Sequence, residues 1–409
     1  MRLLAIPGTP GWHERLDGIE KMLKRIAIYT TISPEGGGSF QYGASILSAL
    51  SQLDARNYQS RFWCRDPAWL PIAAQFHIPG TLFPAHSPLL QRIVLRGVRE
   101  LRKVCDLPAQ QFTPFFLPIQ RWHPHICVCL NQAFTPLVNC KIIGPIHDLM
   151  HRYEARFPEV GEESVYCSRE KLFASHCANA DAILVDSHIG KEQVVEIYHP
   201  DPQKIFVLPF VPSPLAEHAE KPSHFPLTDD TPFLFYPAQM WLHKNHANLL
   251  RAVHSLLPEL DIHCIFTGAK DKNGAALYDR LVDDLDLAQR VHHLGYVSDN
   301  EMRWLYENAR CMIMPTFFGP TNIPPLEAML AGCPVGVSNI YAMRERYGDA
   351  ALYFDPKSAP DIANTIRKLW TDDALCLKLR KLGEKHIAAW RQVDFEKRFI
   401  HILHQIEES

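Results

Sequence analysis

"CMIMPTFFGPTNIPPLEAMLAGCPVGVS", residues 311–338, reads as an apolar strand, a polar loop, a short helix of small and apolar residues, and a second apolar strand. Strands this apolar suit a parallel sheet covered on both faces. Strand–helix–strand is the unit that builds such a sheet. The loop carries Gly319, Thr321 and Asn322, and the helix opens on Pro324 and Pro325, where a missing N–H is tolerated. Glu327 follows in the first turn. A polar ligand held where the strand ends and the helix begins explains the pattern. Capping and dipole complementarity by Glu327 explain it as well.

The same rhythm runs outward in both directions. Apolar runs at 25–30, 58–64, 126–130, 141–147, 182–187 and 205–210 predict strands in the first half, and those at 232–238, 262–268, 291–297, 311–316, 334–338 and 351–355 do so in the second. Helical segments at 43–53, 188–198, 245–257, 299–309 and 324–332 lie between them. Between the halves, "VPSPLAEHAEKPSHFPLTDDT" (211–231) is rich in proline and charge and reads as a linker. A chain of 409 residues exceeds one ordinary core. The expected class is α/β, with two Rossmann-like doubly wound domains facing a cleft. Ligands in such sheets sit at the carboxyl ends of the strands. The spans are 1–24 as an extension, 25–210 as the first domain, 232–388 as the second, and 389–409 as a terminal helix.

Composition narrows the function. With 42 basic and 45 acidic residues, nothing favours a nucleic-acid partner. Eleven cysteines, scattered and without repeated CxxC pairs, predict reduced thiols in a cytoplasmic protein. His123, His125, Cys127 and Cys129 sit on one β-like run without the separated pairs of a zinc site, so no metal is expected there. No stretch approaches the roughly 20 apolar residues of a membrane span. The N-terminus meets Pro7 and Gly8 too early for a signal peptide.

Four further stretches bear on chemistry. In "YPAQMWLHKNHANLL", Lys244 and Asn245 follow a strand and open a helix, where a lysine neutralises a diphosphate or is merely solvated. In "YTTISPEGGGSFQYGASIL", Gly36, Gly37 and Gly38 allow close approach of backbone to a phosphate or sugar, or form a plain turn. They match neither GxGxxG nor GxxxxGK[ST]. In "KIIGPIHDLMHRYEARFPE", His147 and Asp148 close a strand, so His147 meets a ligand in the cleft or is a satisfied core histidine. "DLD" at Asp284–Asp286 has helical periodicity and no preceding strand, and reads as a solvated helix face.

Taken together, "VHHLGYVSDNEMRWLYENARCMIMPTFFGPTNIPPLEAMLAGCPVGVSN" (291–339), "YPAQMWLHKNHANLLRA" (236–252), "IHDLMHRYEARFP" (146–158) and "VDSHIGKEQVVEIY" (185–198) resemble the retaining glycosyltransferases of family four, glycosyl transferases group one, with the GT-B fold. The resemblance covers most of 25–400. It implies that Glu327 binds the nucleotide ribose, Lys244 the donor diphosphate, and His147 the donor sugar or phosphate, these three being the catalytic set. The implied donor-binding set is Gly36, Gly37, Gly38, Gln239, Asn245, Gly319, Thr321, Asn322 and Ile323. The terminal helix is implied to cross back to the first domain. Two positions depart from the family pattern. A glutamate usually stands eight residues before the ribose-binding one, here Gly319, and an arginine five before the lysine, here Gln239. "FGPTNIPPLEA" and "PAQ-x-W-x-x-HKNH" look like the paired variants of one branch.

The implied activity is hexosyl transfer from a UDP- or GDP-linked sugar to a glycan or lipid-linked acceptor in envelope or extracellular polysaccharide synthesis. Configuration is retained, no metal or cofactor is used, and no carboxylate nucleophile is apparent. The leaving diphosphate is met by Lys244 and helix-end amides. "QRIVLRGVRELRKV" (91–104) reads as an amphipathic basic helix for peripheral contact with the inner face of a membrane, or as an ordinary surface helix. An epimerase of the same fold and an inactive nucleotide-sugar-binding subunit remain as alternatives.

Overall fold

Among the described residues of a computed structural model, thirteen short strands, all running parallel to their neighbours, form two separate sheets. The structure describes residues 23–33, 37–83, 117–134, 139–270, 272–319 and 322–408. The first sheet holds β1 (Lys24–Thr30), β2 (Tyr58–Cys64), β3 (Gly80–Leu82), β4 (Ile126–Cys129), β5 (Lys141–Pro145), β6 (Ala182–Val185) and β7 (Ile205–Val207) in the order β3-β2-β1-β4-β5-β6-β7. The second holds β8 (Phe233–Pro237), β9 (His263–Thr267), β10 (Val291–His293), β11 (Cys311–Met314), β12 (Val335–Ser338) and β13 (Ala351–Phe354) in the order β10-β9-β8-β11-β12-β13. In each, strand order reverses beside a central strand, which opens a crevice at the carboxyl edge.

The local reasons follow from the sequence. β4, β6, β11 and β12 are buried along their length and β1 from Ile26 onward, as both-sided helical cover requires. The helix Asp299–Asn308 starts at a capping box: Ser298 Oγ accepts from Glu301 N at 3.3 Å, and Ser298 N donates to Glu301 Oε2 at 2.8 Å. The helix His188–Tyr198 starts at Ser187, whose hydroxyl accepts from Gly190 N at 2.9 Å. Strand β3 was not anticipated. It has three residues, begins with glycine, and pairs only as an edge.

The terminal helix Gln392–Glu408 packs on the first domain. Phe395, Phe399, Ile402, Leu403 and Ile406 are buried in one core with Ile46, Leu47 and Leu50 of the helix Gly38–Ser51. Each such side chain contributes roughly 1.5–3 kcal/mol by leaving water. Lys24 fastens the end to Glu407 at 3.0 Å.

Carboxyl ends of the two sheets face each other, and the domains touch. Phe157 stacks on Phe317 with centroids 5.3 Å apart, Leu242 N donates to Glu159 Oε1 at 2.7 Å, and Tyr341 OH donates to Glu154 Oε1 at 2.9 Å. Glu345 accepts from His188 N at 2.7 Å, placing a carboxylate at the positive end of the helix His188–Tyr198. Residues 1–22 of the N-terminal extension, Gly36, Thr321 and the basic segment 91–104 lie outside the described residues, while Lys24, placed in the extension, opens β1. Among those described, no helix is long and apolar enough to cross a membrane.

Candidate active site

A cavity of about 570 Å³ lies between the sheets, floored by the segments that leave β1, β5, β6, β8 and β11. Among its lining residues are His147, Lys244, Glu327, Gly37, Gly38, Gln239, Gly319, Asn322 and Ile323. Residues far apart in sequence are thus brought to one place.

Lys244 ends a 3-10 turn, Leu242–Lys244, whose own carbonyl accepts from Tyr236 OH at 2.9 Å. Its ammonium reaches Asn322 Oδ1 at 3.4 Å. Burial draws its pKa down to about 8, and the Glu159 charge opposes that. It is the sole Lys or Arg among the described residues lining the cavity.

Glu327 sits in the helix Pro324–Leu330. Its Oε1 accepts from Gln41 Nε2 at 3.1 Å, across the cleft, and its Oε2 accepts from Tyr306 OH at 3.0 Å. Burial pushes the carboxyl above the usual carboxylate range, the two hydrogen bonds oppose this, and the charge of Asp299 adds to it.

His147 follows β5 and is wedged between rings, 4.8 Å from Tyr42 and 5.1 Å from Phe210. Burial lowers its pKa to about 4, against the nearby Asp148, so the imidazole is neutral at ordinary pH. Nε2 is buried without a hydrogen-bond partner among the described residues. Burial alone would raise Asp148, but the Arg169 guanidinium at 2.5 Å and Met150 N at 2.9 Å hold it below its ordinary value.

Asn322 is held from several sides. Its N–H donates to Tyr347 OH at 3.1 Å, its carbonyl accepts from the same hydroxyl at 2.5 Å, and its Nδ2 donates to Gly319 O at 2.8 Å. The Oδ1 is thereby presented toward Lys244.

Two expectations change. Asn245 does not line the cavity. It has φ +61°, and its Nδ2 donates to Pro315 O at 2.7 Å and Pro356 O at 2.8 Å, so it fastens loops behind the site. Nor does the helix Pro324–Leu330 present free amides in its first turn. Pro324 and Pro325 have none, while Leu326 N and Glu327 N return to Ile323 O at 2.8 and 3.2 Å. The "DLD" acids end the helix Lys272–Asp284 and its turn, both carboxylates exposed. Cys127 and Cys129 are buried with sulfurs 4.0 Å apart, and His125 Nδ1 accepts from Arg25 N at 3.0 Å.

The structure adds residues that the sequence reading passed over. Asp186, buried at the end of β6, lines the cavity, and its place after a strand was the same signal that marked His147. His243 stacks on Phe318 with centroids 3.8 Å apart and is lowered to about 4 by burial. Trp241, beside it, also lines the cavity. Gln41, Tyr306 and Tyr347 carried no local signal.

Residues 217–386 match the family described as Glycosyl transferases group 1. The chain is 28% identical over 247 residues to the O-antigen chain mannosyltransferase RfbU of Salmonella typhimurium, covering 59% of this chain and 64% of that protein. It is 26% identical over 251 residues to O-antigen chain mannosyltransferase B of Escherichia coli, covering 56% and 65%. Each match thus takes in slightly less than two thirds of the relative's own length. Among solved structures it is similar to a sucrose-phosphate synthase from Thermosynechococcus elongatus, with TM-score 0.70, 18% identity, and 94% and 99% of the two chains covered. It is also similar to HepE of Anabaena in complex with UDP and glucose, with TM-score 0.69, 14% identity, and 93% and 99% covered. At these identities the likeness establishes the GT-B fold.

Proposed function

We propose that this chain, whose second domain is a glycosyl transferases group 1 domain, moves a hexosyl group from a nucleoside-diphosphate sugar to a glycan hydroxyl with retained anomeric configuration. The relatives' names favour a mannosyl group and surface polysaccharide. The observation that carries the reading is the gathering of Glu327, Lys244 and His147, from two domains, around one cavity at the strand ends.

The chemistry assigned to these groups is mostly electrostatic. The bond from the anomeric carbon to the phosphate oxygen breaks, and its electron pair leaves with the diphosphate. The acceptor oxygen bonds to that carbon on the same face and gives its proton to a phosphate oxygen of the leaving group. Lys244 meets the charge developing on the diphosphate in surroundings with little water, where a cation acts strongly. The helix Pro324–Leu330 has no free amides in its first turn, so on that side of the cavity the task falls to Lys244. Neutral His147 offers an uncharged hydrogen-bond partner to the sugar, and Glu327 accepts from the ribose hydroxyls.

Gly319 does not speak for a decayed site, because Asn322 fills the space beside it and points its oxygen toward Lys244. No cofactor or metal is assigned, so chelation with EDTA should leave turnover unchanged. A lipid-linked acceptor would bring segment 91–104 to an anionic membrane face, and failure to co-sediment with anionic liposomes removes that part of the reading.

Release of nucleoside diphosphate from GDP- and UDP-hexoses, with glycan acceptors present, tests the function. Transfer with retention by the wild type, lost in Lys244→Ala and Glu327→Ala, is expected. Near wild-type turnover in both variants would sink the assignment. Free epimerised sugar without acceptor would favour the epimerase.

A further inference from the structure

Gln41 lines the cavity and has no part in the reaction described above. It lies in the first turn of the helix Gly38–Ser51, in the first domain, and its Nε2 donates to Glu327 Oε1 in the second. Opposite a carboxylate an amide presents its nitrogen, since two acceptor oxygens repel. Oε1 is therefore turned the other way. That oxygen is buried and has no hydrogen-bond partner among the described residues. A glutamine serving only to fasten the domains would not need a buried acceptor there, because an unpaired one is costly. Gln41 and Glu327 also line an adjoining cavity of about 340 Å³, framed by Phe40, Pro214, Tyr296 and Asp299. The pair stands where the two cavities meet.

We propose that Gln41 is a nucleoside-binding residue whose Oε1 accepts one ribose hydroxyl while its N–H stays on Glu327. The inference rests on the functional reading above. A carboxylate has about four acceptor positions, and Gln41 and Tyr306 occupy two of them, leaving room for the second ribose hydroxyl. A vicinal diol then finds one acceptor in each domain. Donor binding and closure of the domains become one event, since the diol is fully met only when the helix Gly38–Ser51 lies against the helix Pro324–Leu330.

The test compares GDP and UDP with their 2′,3′-dideoxy forms by calorimetry, in the wild type, in Gln41→Leu and in the isosteric Gln41→Glu. Gln41→Leu, which removes the acceptor, should bind the ribose form about tenfold more weakly. Gln41→Glu, whose carboxylate still accepts, should keep the preference for the ribose over the dideoxy form. The dideoxy form should bind the wild type and Gln41→Leu alike. Unchanged affinity of Gln41→Leu for the ribose form overturns the proposal. Equal loss of both forms overturns it too, because that reports damage to the domain contact. A wild type that binds neither GDP nor UDP overturns the functional reading itself, an outcome decided without the variants.

Discussion

A Cβ on residue 319 would lie 2.9 Å from both Nδ2 and Oδ1 of Asn322, so Gly319 and Asn322 are fitted to one another. Gly319 has φ +97°, a conformation that side chains rarely adopt. The Asn322 backbone is held in place, because Tyr347 binds both its N–H and its carbonyl, so relief would require its side chain to rotate away from Gly319 O and Lys244. The glutamate that the family resemblance places at 319 cannot be added without displacing Asn322, and Asn322 receives the Lys244 ammonium.

Gly319→Glu should therefore lose activity instead of gaining it, and should cost about 1–3 kcal/mol of stability from backbone strain and the clash. Urea denaturation and donor turnover check this. Higher turnover in the variant would show that the site merely lacks a carboxylate.

Lys244 sets an alkaline limit. With its pKa drawn to about 8 by burial, the free enzyme holds the charge below that pH and loses it above. The kcat/KM for donor, which reports the free enzyme, should be flat below about pH 8 and fall as pH rises through it. Arginine keeps its charge throughout, so Lys244→Arg should flatten that limb even if it is slower overall. A falling limb identical in both proteins would assign it to another group.

Buried histidines set an acid limit to stability. His147, His176 and His243 are lowered to about 4 and His246 to about 3, burial being the first cause of each. The unfolded chain protonates them near 6.5, the ordinary value for histidine, and the folded one does not. Between about pH 6.5 and 4 the unfolded state thus binds more protons, and stability is full above 6.5 and falls as pH drops through this window. His246 is packed among Tyr236, Phe266 and Tyr278. His246→Leu should lower the slope of unfolding free energy against pH by up to one proton, about 1.4 kcal/mol per pH unit. An unchanged slope would mean that His246 is protonated in the fold.

Asn245 separates a structural role from a donor-binding one. Asn245→Ala leaves the buried Pro315 carbonyl without its side-chain donor and Pro356 O with Asn248 Nδ2 alone, and it replaces an asparagine, which tolerates positive φ, with alanine, for a loss of roughly 1–3 kcal/mol. Asn245→Gly should suffer less, being free of the backbone strain. Donor affinity measured below the melting transition should stay near wild type in both. A large loss of affinity with little loss of stability would return Asn245 to the ligand.

Much of this architecture was legible because apolar runs bounded by glycine, proline and polar loops mark strands buried on both faces. Strand β3 escaped because three residues at a sheet edge carry no periodicity. His147 ends a predicted strand, and Lys244 and Glu327 stand at the helix starts that follow strands, a placement that left bland readings open for each. The family resemblance grouped them, and the cavity brings the same three together. The partners of Glu327 were not legible. Gln41 is 286 residues away, and that contact exists only once two domains face each other. Asn245 misled because its position beside Lys244 says nothing about the direction of its side chain, which a left-handed backbone turns toward Pro315 and Pro356. The first-turn amides misled similarly, since two prolines that suit a helix start also remove its free donors.

The most direct test of the central claim is a thermal-shift screen of UDP, GDP, ADP and dTDP with their hexose conjugates. A ligand that binds only the folded state raises the midpoint by mass action. The account predicts a clear rise for one diphosphate and its sugar conjugate, abolished in Glu327→Ala and weakened in Lys244→Ala. No shift with any nucleotide at millimolar concentration, or a shift that survives both substitutions, would contradict it.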